Sequence, residues 1–189
     1  MIVLGIDPGS ITTGFAFLDH SGNEFRVLEY GTVHAPAQKP LEDRLLHIVS
    51  ELEKLLDKYR PEALAMEGVF FAKNPKSALV LGHIRGAVLV ACRKRGMTFN
   101  EYPPRLVKQA ITGDGGASKE QVANMVFARL GIESAGLPLD ASDALAIALT
   151  HCTPAPLTAA LKGKIKIRRK KATVQQWKDL IERMGGTVQ

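Results

Sequence analysis

Apolar positions along the chain change period several times, and each change marks an element. Three extended apolar runs come first, Ile2–Ile6, Gly14–Leu18 and Phe25–Val33, separated by Pro8-Gly9 and by the turn signal Ser21-Gly22-Asn23. Short strands with tight connections predict an antiparallel meander. From Leu41 to Tyr59 the apolar residues Leu45, Ile48, Leu52, Leu55 and Leu56 return at a helical period, and Pro61 stops the helix. A strand over Ala63–Val69 follows, and the intervening helix makes it parallel to the first strand through a right-handed crossover. A second helix, Ser77 to Arg95, is apolar on much of its surface, which predicts that it is sandwiched between the sheet and a further surface. Thr98–Tyr102 reads as a short strand closed by Pro103-Pro104, and helical patterns then cover Arg105–Ile111, Lys119–Leu130 and Asp140 to His151. The order predicts an α/β fold with a mixed sheet.

After Cys152 the pattern ends in Thr153-Pro154-Ala155-Pro156 and a basic run, Lys162 to Lys171. We therefore divide the chain into a domain over 1–153 and a basic tail over 154–189, expected to be a flexible arm with a short terminal helix from Thr173 to Met184. Trp177 in that helix would anchor it to the body or to a partner.

Charge sharpens this division. The net charge of +6 lies almost wholly in the tail, because residues 1–153 hold 16 Lys and Arg against 17 Asp and Glu, and residues 154–189 hold 9 against 2. No signal peptide is legible and no apolar run looks long enough to cross a bilayer, so we expect a cytoplasmic protein. Cys92 and Cys152 lie in apolar helical contexts without zinc spacing and read as packed thiols. The five histidines form no cluster with metal spacing.

Four carboxylates carry the candidate chemistry. Asp7 ends an apolar strand in Gly5-Ile6-Asp7-Pro8-Gly9, Glu67 ends another in Ala63-Leu64-Ala65-Met66-Glu67, and Asp140 and Asp143 open an apolar helix. An ionised carboxylate at the end of a buried strand is costly unless a cation pairs with it, and a divalent metal is the natural partner. Asp7 and Glu67 lie side by side if their strands are neighbours, and Asp140 and Asp143, three apart, share a helical face that roofs the same spot. Taken singly, Asp140 reads as a helix N-cap and Asp143 as a first-turn complement to the helix dipole. Together the four acids point to metal-assisted phosphodiester hydrolysis.

These motifs resemble the RuvC Holliday junction resolvases of the ribonuclease H-like superfamily over residues 1 to about 153. The likeness rests on Gly5-Ile6-Asp7-Pro8-Gly9-Ser10, Glu67-Gly68-Val69-Phe70 with Ala72-Lys73-Asn74, Leu81-Gly82 with Arg85-Gly86, Val107-Lys108-Gln109, and Asp140-Ala141-Ser142-Asp143 with its apolar continuation. Gly68 departs from the Gln of some relatives and is no ligand. The resemblance implies a ribonuclease H-like mixed five-stranded sheet, three antiparallel strands followed by parallel ones, flanked by helices on both faces. It also implies nicking of two strands of like polarity across a four-way DNA junction, leaving 5′-phosphate and 3′-hydroxyl ends.

The same resemblance implies two Mg²⁺ per active site, with Mn²⁺ able to substitute, held by Asp7, Glu67, Asp140 and Asp143. We expect Asp7 to bridge both metals, Glu67 and Asp143 to complete one coordination shell each or together, and Asp140 to hold the second metal or position its water. Lys119 would contact the scissile phosphate or assist proton transfer, Lys108 would bind backbone phosphate, and Phe70, with Lys73 in the same loop, would engage DNA at the exchange point. Symmetric nicking implies a homodimer, with the apolar second helix as candidate interface, working with the RuvA–RuvB branch-migration complex. Three rival readings remain at this point: a ribonuclease H-like nuclease for hybrids or other branched DNA, an actin-like kinase fragment, and a silent junction-binding protein.

Overall fold

The computed structural model describes residues 1–22, 24–68, 74–132 and 138–153. The chain divides into two units, Met1–Thr153 and Pro154–Gln189; the expected arm and terminal helix, like Phe70 and Lys73, lie outside the described residues.

The strands are β1 (Ile2–Asp7), β2 (Thr12–Ser21), β3 (Glu24–His34), β4 (Ala63–Glu67) and β5 (Thr98–Tyr102), in the sheet order β3-β2-β1-β4-β5. β1, β2 and β3 pair antiparallel, while β4 runs parallel to β1 and β5 parallel to β4. The helices are α1 (Leu41–Tyr59), α2 (Pro75–Arg93), α3 (Pro104–Thr112), α4 (Lys119–Leu130) and α5 (Leu139–Cys152). This is the mixed five-stranded sheet expected.

Strand alternation sends side chains to two separate cores. Leu4, Ile6, Phe15, Phe17, Leu64 and Met66 pack with Ile48, Leu52 and Leu56 of α1 and with Ile84 and Val88 of α2. Val3, Ala16, Leu18, Ala63 and Ala65 face the other way, against Val107 of α3, Val126 of α4 and Leu145 and Ala148 of α5. The sheet therefore carries α1 and α2 on one side and α3, α4 and α5 on the other. Both cysteines are buried and free, and burial pushes each thiol up to about 12.

Several boundaries differ from the apolar pattern, each for a local reason. β2 runs beyond Gly14–Leu18 at both ends because ladder pairing with β3 is a backbone property that Asp19 and His20 satisfy as well as any apolar residue. β4 ends at Glu67, where Gly68 N donates to Tyr102 O at 2.7 Å. α2 starts at Pro75, capped by Asn74, whose side chain accepts from Lys76 N at 2.9 Å. α4 starts with a capping box in which Ser118 and Gln121 satisfy each other's backbone N–H groups.

One expectation about the bilayer needs correcting. By length and composition alone, α2 is long and apolar enough to cross a membrane. Its Ile84, Val88, Ala91 and Cys92 are buried on the sheet, and mid-helix Arg85 is paired internally. Those contacts bury one face of α2 on the sheet and leave Leu79 and Val90 exposed on the outer side.

Candidate active site

Asp7 and Glu67 each end a strand, and the parallel register that pairs Ile6 with Met66 makes them neighbours on the next rung. Alternation turns both side chains to the α5 side, in line with Val3 and with Ala63 and Ala65. α5 comes to that spot because two glycines admit it. A Cβ on Gly5 would lie 2.2 Å from Ala144 O and 2.8 Å from the Ala148 Cβ, and one on Gly14 would lie 2.0 Å from Asp140 O. The α5 main chain thus rests directly on β1 and β2, and Gly14 is the residue that pairs with Asp7. The sequence showed Gly5 only as part of its motif and Gly14 only as the start of a strand, since the need for a missing Cβ at either arises only when α5 docks.

The loop after Asp7 is pinned from the opposite side of β2. The hydroxyl of Thr13, fully buried, donates to Gly9 O at 2.7 Å and accepts from Gly9 N at 3.3 Å. Arg44 of α1 adds hydrogen bonds to Ser10 O and Oγ, both 3.3 Å. These anchors were also not legible, because Thr13 reads as an ordinary strand residue and Arg44 lies 34 positions from Ser10.

Asp7, Glu67 and Asp143 line one cavity of about 90 Å³ with Lys108 and Lys119; Val107, Val122 and Ile147 form its apolar wall. Asp140 is not part of that lining, although its charge still reaches Asp7. It is not the helix N-cap either: Pro138 holds that position, no side chain caps it, and Asp140 stands in the first turn. Asp143 lies further along the helix, beyond the first turn, so dipole complementation is not its role.

The electrostatics are those of crowded carboxylates. Asp7 is pushed up to about 7, first by burial and then by the negative charges of Asp143, Glu67 and Asp140, against a pull from Lys119. Glu67 is raised as well, first by burial and next by Asp143, against Lys119, Arg85 and Lys108. Lys119, opening α4, donates from Nζ to Asp143 Oδ2 at 2.7 Å, and that bond raises its own pKa. Lys108 Nζ donates to Ala117 O at 2.7 Å, which ties down the loop before α4 and leaves further N–H groups on an ammonium at the cavity wall.

Among the described residues, no three His, Cys, Asp or Glu side chains are close enough to hold one ion as they stand. The donor set still fits a hard divalent cation: the ligands are all oxygen, and positive charge beside the raised Asp7 carboxyl favours its ionised form. The arrangement can therefore gather cations and present them, with two lysines, to a phosphate-bearing substrate.

Comparison with known proteins agrees with this chemistry. Residues 3–151 match the family model described as crossover junction endodeoxyribonuclease RuvC. A protein of that name from Ruminiclostridium cellulolyticum is 45% identical over 151 residues, covering 80% of this chain and 91% of its own. Another from Chloroherpeton thalassium is 42% identical over 174 residues, 92% of each chain. The structure of T. thermophilus RuvC in complex with Holliday junction substrate superposes with a TM-score of 0.76 at 39% identity, over 86% of this chain and 96% of that one. With its sheet, its convergent acids and this match over nearly the whole of residues 1–153, the chain belongs to the RuvC family of crossover junction endodeoxyribonucleases.

Proposed function

We propose that this protein is a structure-selective endodeoxyribonuclease that resolves Holliday junctions in recombination and repair. It does so by paired, symmetric, metal-dependent nicks in strands of like polarity. The convergence of Asp7, Glu67 and Asp143 on one cavity, with Lys119 beside them, carries the reading. The metal is Mg²⁺, two per site and replaceable by Mn²⁺, with Asp7, Glu67, Asp140 and Asp143 as the holding groups. When bound, such an ion polarises the phosphodiester and makes water acidic enough to attack at neutral pH.

The chain's own residues supply position and charge. Asp7 and Glu67, fixed by the sheet, set where the scissile phosphate comes to rest, and α5 brings Asp143 against them. Lys119 is close enough to that point to neutralise charge building on the phosphate oxygens, and its proton is available to the departing 3′ oxygen. Water attacks phosphorus in line, the P–O3′ bond breaks, and 5′-phosphate and 3′-hydroxyl ends remain. Lys108 holds a neighbouring backbone phosphate, and Phe70 and Lys73 engage the bases and backbone at the exchange point.

Two symmetric nicks require two sites, and we assign the dimer contact to the outer side of α2, where Leu79 and Val90 are exposed. We place the protein in the bacterial cytoplasm with the nucleoid, acting with the RuvA–RuvB branch-migration complex. The test compares the wild type with Asp7→Asn on four-way junctions, with mobile and with fixed cores, in Mg²⁺ and in chelator. Paired nicks that need metal and vanish in the variant, with junction binding retained, support the proposal. Cleavage of hybrid or linear substrates alone would sink it.

A further inference from the structure

The Arg85-Gly86 motif has no part in the cavity itself, yet Arg85 touches the catalytic strand. It sits in mid-α2, next to Ile84 and Val88, which pack in the core that contains Leu64 and Met66 on the side of the sheet opposite the carboxylate cavity. Its side chain is 12% exposed. One nitrogen of its fork, Nη1, donates to the backbone carbonyl of Glu67, and the other, Nη2, donates to a carboxylate oxygen of Glu101 on β5. Glu101 pairs with Met66 in the β4–β5 ladder, so the guanidinium spans the last rungs of both parallel strands. Next to it, Gly68 N closes the end of β4 on Tyr102 O at 2.7 Å.

Burying a guanidinium is expensive, and filling space here needs only a Leu or Met. What Arg supplies beyond volume is a planar fork that meets two acceptors at once. We propose that Arg85 is a positioning residue: it fixes the carbonyl of Glu67 from behind the sheet, so that the carboxylate of the same residue leaves the front of β4 at one angle. Lys in its place reaches one acceptor and leaves the other, so charge survives and orientation does not.

This inference rests on the nuclease reading of the cavity. The experiment takes full-length wild type, Arg85→Lys, Arg85→Met and Glu101→Gln through four readouts. They are melting temperature without metal, junction affinity in chelator, single-turnover nicking across a Mg²⁺ titration, and the shift in melting temperature that Mg²⁺ causes without DNA. We expect Arg85→Lys to nick about 10- to 100-fold more slowly and to need more Mg²⁺ for half-maximal rate, with junction affinity within about twofold of wild type. Its Mg²⁺-induced melting shift should shrink, and Glu101→Gln should fall between it and wild type. Arg85→Met should lose more than either.

Wild-type rate and Mg²⁺ dependence in Arg85→Lys would overturn the proposal. So would a loss that follows junction affinity, or one that disappears when the assay is cooled well below each variant's melting temperature. If the wild type itself fails to nick junctions, the nuclease reading falls, and the Mg²⁺-induced melting shift still decides whether Arg85 orients Glu67.

Discussion

Asp7→Asn should make the metal-free protein more stable while abolishing nicking. The folded chain carries Asp7 from 3.8 to about 7, mainly through burial and then through three neighbouring carboxylates. At roughly 1.4 kcal/mol per pH unit, keeping that group ionised costs on the order of 4 kcal/mol. Side-chain relaxation and salt screening bring the expected gain from an uncharged isostere to about 2 kcal/mol in physiological salt. For a chain of this size that is a rise of about 4–8 °C in melting temperature.

The pH dependence has a definite sign. A carboxyl whose folded pKa is raised binds its proton more tightly in the folded state, so the penalty is absent below about 3.8 in this chain, builds up as pH rises, and is complete above about 7. The stability gap between variant and wild type should thus be full at about pH 8 and shrink steadily towards pH 5. Thermal or urea denaturation in chelator measures it. Added Mg²⁺ should then raise the wild type and leave the variant nearly unmoved. A variant no more stable than wild type at high pH, or a gap independent of pH, would refute the account of crowded acids.

Three further outcomes follow from particular contacts. Gly14→Ala places a methyl 2.0 Å from Asp140 O, so α5 must lift from β2; urea denaturation should show a loss of about 3 kcal/mol or more, with nicking lost even at temperatures where the variant is folded. Thr13→Val removes the buried hydroxyl that serves both Gly9 O and Gly9 N, which should cost about 1–3 kcal/mol and slow nicking through a looser Asp7-Pro8-Gly9 loop. Lys119→Met frees Asp143 from its 2.7 Å bond and removes a cation from the acidic cluster; single-turnover nicking should fall about 10²-fold with junction affinity little changed, and a loss confined to affinity would contradict its place beside the scissile phosphate.

Much of this architecture was legible because it depends on local rules. The alternating strands, the helical period of Leu41–Tyr59 and the parallel placement of Ala63 onwards all follow from apolar spacing and connection length, and the acids announced themselves by being charged where strands are apolar. What stayed hidden depends on who meets whom after folding. Gly5 and Gly14 look like ordinary strand residues until α5 lies on them, and Thr13 and Arg44 matter only because the Gly9-Ser10 loop returns to them. Asp140 misled in the other direction: a favoured capping residue stands near the start of an apolar helix, yet Pro138 and Leu139 extend that helix to an earlier start.

The hydrogen bond from Arg85 to the Glu67 carbonyl also sets a length scale for regulation. α2 and the carboxylate cavity lie on opposite sides of the sheet, and a single peptide unit separates the guanidinium on one side from the Glu67 carboxylate on the other. If Arg85 positions Glu67 as proposed, whatever settles on the far side of α2 would act on that carboxylate through one residue, and assembly and cleavage would be coupled through a single backbone carbonyl.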